Sequence, residues 1–247
     1  ASPPMTLEGA GNAADEDFSL RASNGTIFLA GGGAGGNLDE IVILPGTPGD
    51  GADNVVLAGG TITLQTGGFD FTNVAAGETI TLAGDTVLNT VNGDGDITFA
   101  GRTVTGAFNL DLAAGAGTVT LGGMGGTDDL ASLDVVSAGA VSVPLPVETS
   151  GNTILNTGGV ITLSADITTT SGLVTLGGVS QGDLLVVGEP TIDTTAGNTV
   201  NAGTVTITGQ IDGGTSGGTD TLTIDAARDG VDGIGDANVD LRGAVEG

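Results

Sequence analysis

The chain has 247 residues, 48 of them Gly, and carries 30 Asp and Glu against four Arg, with no Trp, Tyr, Cys, His or Lys. A net charge of −26 repels phosphate backbones and anionic lipid surfaces, so neither nucleic acid nor bare membrane is an expected partner, and the missing His, Cys and Lys remove most catalytic repertoires. With 38% hydrophobic residues the chain is too apolar for a solvated tail, while Gly at this density breaks long helices at about 1 kcal/mol per interior position, which leaves short strands and tight turns.

Residues 1–24 open on Ala1-Ser2-Pro3-Pro4, with no charged-then-apolar leader, as a mature exported chain would. They carry Asp15-Glu16-Asp17 ahead of Phe18 and are expected to form an arm or cap. Asn24-Gly25-Thr26 fits both an N-glycosylation acceptor and a plain turn. A phrase in which apolar residues alternate with Thr then begins at Thr26-Ile27-Phe28-Leu29 and returns at Thr61 to Leu64, Thr79 to Leu82, Asp96 to Phe99, Thr118 to Leu121, Val160 to Leu163, Leu173 to Leu176, Thr204 to Ile207 and Thr221 to Ile224. Such alternation is the period of a half-buried strand, so Ile62 and Leu64 face a core while Thr61 and Thr63 face out. The same alternation places Phe28 and Phe99 among core strands.

Between the first two phrases, Gly31-Gly32-Gly33-Ala34-Gly35-Gly36 matches a dinucleotide-type GxGxxG, with Asp50 and Asp53 downstream. The run Asn37-Leu38-Asp39-Glu40 into Ile41-Val42-Ile43-Leu44 is turn and strand, with no helix to receive a pyrophosphate, so the match is one of chance in a Gly-rich chain.

The spacing of the phrases predicts a repeat of roughly 20 residues, with Ile41 to Leu44 and Val141-Ser142-Val143 filling the wide gaps. Further strands such as Asn109 to Leu112 and Leu133 to Val136 give two or three per turn. The expected fold is all-β: a parallel β-helix, or β-solenoid, over residues 25–225, of about ten irregular turns and about 50 Å long, with Gly at corners where φ is positive. Residues 226–247, rich in Gly and Asp, form a tail or cap. Tandem β-sandwich domains are the competing architecture, since they also show short strands and frequent turns. They usually bury Trp or Tyr, whereas thin strips of Ile, Val and Leu suit a narrow lumen.

Asp96-Ile97-Thr98-Phe99-Ala100-Gly101, Ala107-Phe108-Asn109-Leu110-Asp111-Leu112 and Gly117-Thr118-Val119-Thr120-Leu121-Gly122-Gly123 resemble the strand repeats of filamentous-haemagglutinin-like bacterial surface proteins. The resemblance covers roughly residues 25–225. It implies a right-handed parallel β-helix exported to the cell surface as a stalk, adhesin or fibre.

Calcium is the ligand the acidic turns fit best, although no cofactor is required. Asn92-Gly93-Asp94-Gly95-Asp96 has the alternating oxygen donors of an EF-hand start but lacks its Gly and Glu. Gly126-Thr127-Asp128-Asp129-Leu130 and Gly218-Thr219-Asp220-Thr221-Leu222 resemble the end of a calcium-binding nonapeptide. Asp94, Asp96, Asp128 and Asp220 are the candidate ligands, against the plainer reading that each caps a turn. Like charges on stacked turns repel by about 1 kcal/mol per close pair in water, which divalent ions would relieve collectively.

Two further readings stay open beside a structural role. Asp128-Asp129 could be the carboxylate pair of a polysaccharide-active β-helix enzyme, although its usual His and Lys partners are missing. The Thr-x-Thr units at 61/63, 79/81, 103/105, 118/120, 204/206 and 221/223 could form an ice-binding face, or simply reflect the β-propensity of Thr. The leading expectation is a non-enzymatic extracellular protein: a surface stalk or adhesin segment with a glycan or protein target, or a fibre subunit that self-associates end to end without entering a membrane.

Overall fold

A computed structural model describes residues 17–20, 26–30, 40–43, 54–74, 78–177, 182–196, 202–214, 220–226 and 239–242. Among these residues there is no helix, and every paired named strand runs parallel to its neighbours in one of three sheets. The first sheet stacks β1 (Asp17–Leu20), β3 (Glu40–Ile43), β6 (Phe69–Asp70), β9 (Ile97–Thr98), β12 (Thr118–Thr120), β15 (Ala140–Val143), β18 (Ile161–Leu163), β21 (Leu184–Val186) and β24 (Ile211–Gly213). The second stacks β2 (Thr26–Leu29), β4 (Asn54–Leu57), β7 (Thr79–Leu82), β10 (Thr103–Thr105), β13 (Gly123–Met124), β16 (Val147–Thr149), β19 (Ile167–Thr169), β22 (Thr191–Asp193) and β25 (Thr223–Asp225). The third stacks β5 (Gly60–Thr63), β8 (Thr86–Asn89), β11 (Asn109–Ala113), β14 (Ser132–Ser137), β17 (Thr153–Asn156), β20 (Val174–Gly177), β23 (Val205–Ile207) and β26 (Val239–Leu241).

The chain visits the three sheets in rotation, so it is a β-solenoid with three strands per turn. All-parallel pairing around one continuous core rules out the tandem sandwiches, whose sheets would be antiparallel. The ladders also take in β1 and β26, beyond residues 25–225 at both ends.

The first ladder makes eight strand-to-strand steps from β1 to β24, six of them between β6 and β24, fewer and larger than the ten turns expected. Register partners Val141 and Ile161 are 20 residues apart, but Phe69 and Ile97 are 28 apart and Leu184 and Ile211 are 27 apart. The repeating phrase misleads because it falls on every face. The phrases at residues 96, 118 and 160 belong to the first sheet, those at 26, 79 and 221 to the second, and those at 61, 173 and 204 to the third. The distance between two phrases is therefore often a fraction of a turn. Nine strands in a ladder, about 4.8 Å apart, make a rod about 38 Å long, shorter than the expected length.

The core is a single cluster of stacked aliphatic columns, such as Ile97-Val119-Val141-Ile161-Leu184 and Leu88-Leu112-Val135-Leu155-Leu176. Phe69, Phe71 and Phe99 stack with nearly parallel rings, Phe71 and Phe99 having centroids 5.0 Å apart. Phe28 departs from expectation. The inward residues of β2 are Ile27 and Leu29, in register with Val55 and Leu57, which turns Phe28 outward at 71% exposure.

Corner glycines serve two needs: some, such as Gly101, Gly115 and Gly188, take the expected positive φ, and others allow close approach. A Cβ on Gly172 would lie 1.8 Å from the Gly151 carbonyl oxygen, and one on Gly203 would lie 1.9 Å from that of Gly172. Neither has the positive φ expected at corners; a backbone passing directly over the coil below is what excludes a side chain there.

Candidate functional site

The outward faces and the corners carry all the polar chemistry. Corners interrupt the ladders and leave backbone N–H groups without a strand partner, which must be satisfied. Acidic side chains from an adjacent coil do this. Asp85 accepts from the Asn109 N–H at 2.9 Å, Asp94 from Ala116 at 2.8 Å, Asp96 from Thr118 at 2.7 Å, Asp166 from Thr191 at 2.7 Å and Asp183 from Gln210 at 3.1 Å. Each bond joins residues one turn apart, so these carboxylates staple coil to coil.

Three of the four candidate calcium ligands lie in this pattern. Asp94, at a positive φ of 52°, and Asp96 both cap the coil above, and Asp220 accepts from the Gly188 N–H at 2.7 Å. Asp128 is exposed, and it is its backbone that binds: its carbonyl accepts from the Thr105 hydroxyl at 3.3 Å and its N–H donates to the same oxygen at 3.2 Å. The fold keeps the four apart. Asp94 and Asp96 stand between the third and first sheets, Asp128 between the second and third, and Asp220 between the first and second.

Asp94 and Asp96 share a shallow cleft of about 400 Å³ with Asp70 and the glycines 67, 68, 93 and 95. The Asp70 carboxylate there already accepts from the Thr72 N–H and hydroxyl, at 2.8 and 2.6 Å. Among the described residues no three acidic side chains converge as a metal cage would require. A second cleft, of about 350 Å³, is lined by small and apolar residues, Ala116, Val136 and Ala138 among them. Neither cleft includes Asp128 or Asp129, which are exposed on a corner.

The remaining acids of note are on the third sheet. Asp111 and Asp134 are register partners on its outer face. Partial burial pushes both carboxyls above the ordinary carboxylate range, and repulsion adds to it, from Asp85 for Asp111 and from Asp111 for Asp134. Desolvation without a nearby cation is what opposes their charge.

The threonines divide. The six Thr-x-Thr units fall on three different faces, with 118/120 on the first, 79/81, 103/105 and 221/223 on the second, and 61/63 and 204/206 on the third, so no single surface collects them. Other threonines point inward, in phase with the buried Val147, Ile167 and Ile192 two residues earlier. Thr149, Thr169 and Thr194 are fully or almost fully buried at one corner, and their hydroxyls donate to the carbonyls of Gly151, Gly172 and Gly203 at 2.8, 2.7 and 2.9 Å. The readable signal was a Thr two or three residues before a corner Gly, as in Thr149-Ser150-Gly151 and Thr169-Thr170-Ser171-Gly172. The GxGxxG of residues 31–36, with Asp50 and Asp53, and Asn24-Gly25 lie outside the described residues.

Comparison with protein-family models, with curated proteins and with solved structures found no match to this chain.

Proposed function

We propose that this chain is a structural rod: a stalk or adhesin segment displayed outside the cell, or the subunit of a fibre, akin to the filamentous-haemagglutinin-like surface proteins its repeats resemble. The observation that carries this reading is the use made of the polar groups. Acids and buried hydroxyls at the corners hydrogen-bond the backbone of the same or adjacent coils, and the outer columns repeat from turn to turn, the two clefts described above being shallow. Such an architecture gives length and stiffness for each added coil, and it presents side chains in columns to a glycan or protein target. It needs no cofactor. Divalent cations, calcium foremost, act on it collectively, by screening acids stacked at strand spacing.

Stacked coils also leave strand edges at both ends, and an uncovered edge is a template for another chain. The reading therefore includes association through the ends. Negative-stain microscopy at rising protein concentration tests it: particles should lengthen in multiples of a single rod. Single rods at every concentration would remove the self-assembling form of the proposal. Hydrolysis of a polysaccharide that is lost in Asp128→Asn would replace the structural role with an enzymatic one.

A further inference from the structure

The corner between β8 and β9 turns through residues 91–94 and contains Asn92-Gly93, the one Asn-Gly pair among the described residues. Both residues are exposed. A Cβ on Gly93 would lie 2.3 Å from the Thr66 Cα and 2.5 Å from the Gln65 carbonyl oxygen, so the coil below admits only glycine there. The same coil holds the Asn92 carboxamide, whose Nδ2 donates to the Gln65 Oε1 at 3.2 Å. The Gly93 N–H donates to the Thr90 carbonyl at 3.1 Å, closing the turn. Asp94 and Asp96 follow at once and cap the coil above through the N–H groups of Ala116 and Thr118.

This pair carries latent chemistry. Glycine puts no side chain in the way, so its backbone nitrogen can reach the preceding carboxamide carbon. The Gly93 nitrogen gives up its proton and attacks the Asn92 Cγ; a C–N bond forms, the bond to Nδ2 breaks, and ammonia leaves with the proton. Water then opens the cyclic imide. Opening at Cγ leaves aspartate, and opening at the backbone carbonyl leaves isoaspartate, whose chain runs on through the side-chain carboxyl. Nothing is oxidised or reduced, and water is the only co-reactant.

We propose that Asn92 is a site of spontaneous covalent modification, a deamidation timed by opening of this corner, and that its isoaspartyl product cannot close the corner again. In the closed turn both reacting groups are engaged, the Gly93 hydrogen with Thr90 and the leaving nitrogen with Gln65. Reaction therefore waits for the turn to open, and its rate follows the open population. Isoaspartate lengthens the backbone by a methylene, in a segment that already crosses Thr66 with no room for a Cβ. Either product also replaces a donor to Gln65 with a carboxylate, next to the cleft that Asp70, Asp94 and Asp96 already line. An isoaspartyl turn held off the coil below carries Asp94 and Asp96 with it, so the caps on Ala116 and Thr118 loosen too. The change is irreversible in the chain itself and accumulates with the age of the molecule.

Peptide mapping by mass spectrometry, on the full chain aged in warm, mildly alkaline buffer, tests the site. The mass gain of an amide-to-acid exchange should build up at Asn92 and stay far lower at Asn89, Asn109, Asn152 and Asn156, each followed by a bulkier residue. Denaturing urea should speed it by about tenfold or more, since the closed turn no longer protects it. Gln65→Ala, which frees the carboxamide, should speed it by about twofold or more in the folded chain, with unchanged circular dichroism. The isoaspartyl form, separated by anion exchange, should melt below the Asn92→Asp variant and exchange its Ala116 and Thr118 amide hydrogens faster. No gain at Asn92 in the aged folded chain would overturn the site. Equal rates in buffer and urea, or no effect of Gln65→Ala, would overturn timing by the corner. An isoaspartyl form as stable as Asn92→Asp would overturn the claim that the lengthened backbone holds the corner open.

Discussion

Asp111 and Asp134 illustrate what a solenoid does to a single carboxylate. Each is ordinary in the sequence, but stacking puts them one strand spacing apart on a face that removes part of their water. Their raised folded-state pKa means that the fold binds their protons more tightly than the unfolded chain does. The stability they contribute is therefore full below the ordinary carboxylate value and lost as pH rises through the raised one. Ionising them costs more in the fold than in the unfolded chain, through desolvation first and then through repulsion, about 1 kcal/mol for a like pair at close spacing in water. Asp134→Asn should raise the melting temperature at pH 7 by about 2–4 °C. That advantage should shrink as pH falls toward 4, because the wild type regains its proton; a gain independent of pH would show that the pair is not its source. The capping acids are a different population. Asp94 and Asp96 were legible in the sequence as turn residues, whereas Asp166 and Asp183 were not singled out, and the partners of all four, one coil away, were hidden because a coil length of 20 to 28 residues cannot be read from a phrase that recurs on all three faces.

At the scale of the strand, most of the inward set was legible. Alternation in Thr79-Ile80-Thr81-Leu82 and Thr118-Val119-Thr120-Leu121 correctly sends Ile80, Leu82, Val119 and Leu121 to the core. It was misapplied to Phe28, which the phase set by Ile27 and Leu29 turns outward. Thr149, Thr169 and Thr194, which the Thr-x-Thr pattern does not include, sit inside in phase with Val147, Ile167 and Ile192, and their hydroxyls satisfy the carbonyls of corner glycines. Those corners are where the strand pattern is most fragile. A Cβ at residue 172 would overlap the Gly151 carbonyl oxygen, and its backbone cannot retreat without breaking the Thr169 hydroxyl bond to its own carbonyl. Gly172→Ala should destabilise by about 1–3 kcal/mol or more, as overpacking does. Gly158→Ala, with nothing within 4 Å of its added Cβ, should change stability by less than about 0.5 kcal/mol. Chemical denaturation of the two variants separates a steric column from a mere abundance of glycine: equal effects would mean that close approach is not what selects glycine at residue 172.

At the scale of the whole molecule, charge is the term that grows with every coil. The chain carries thirty acids against four Arg, and those among the described residues sit on coils stacked at strand spacing around a core of mostly aliphatic side chains, so each turn adds both apolar burial and self-repulsion. Corner acids that accept backbone N–H bonds offset part of the cost locally, but a bond to an amide does not remove the negative charge. A divalent cation held diffusely along the faces does more, and it need not choose one coil. Calcium should therefore raise the melting temperature gradually over a wide concentration range, and a chelator should reverse the rise. The Asp94→Asn/Asp96→Asn variant, which alters the most acidic cleft, should retain most of that calcium increment while losing some stability overall, because its two amides accept the capping N–H bonds less strongly. A shift that saturates at one equivalent and disappears in this variant would locate the effect in a single built site at the Asp94 corner. The collective account requires instead that sodium chloride reproduce part of the effect at higher ionic strength, since screening of stacked carboxylates depends on total charge in solution and only secondarily on the identity of the ion.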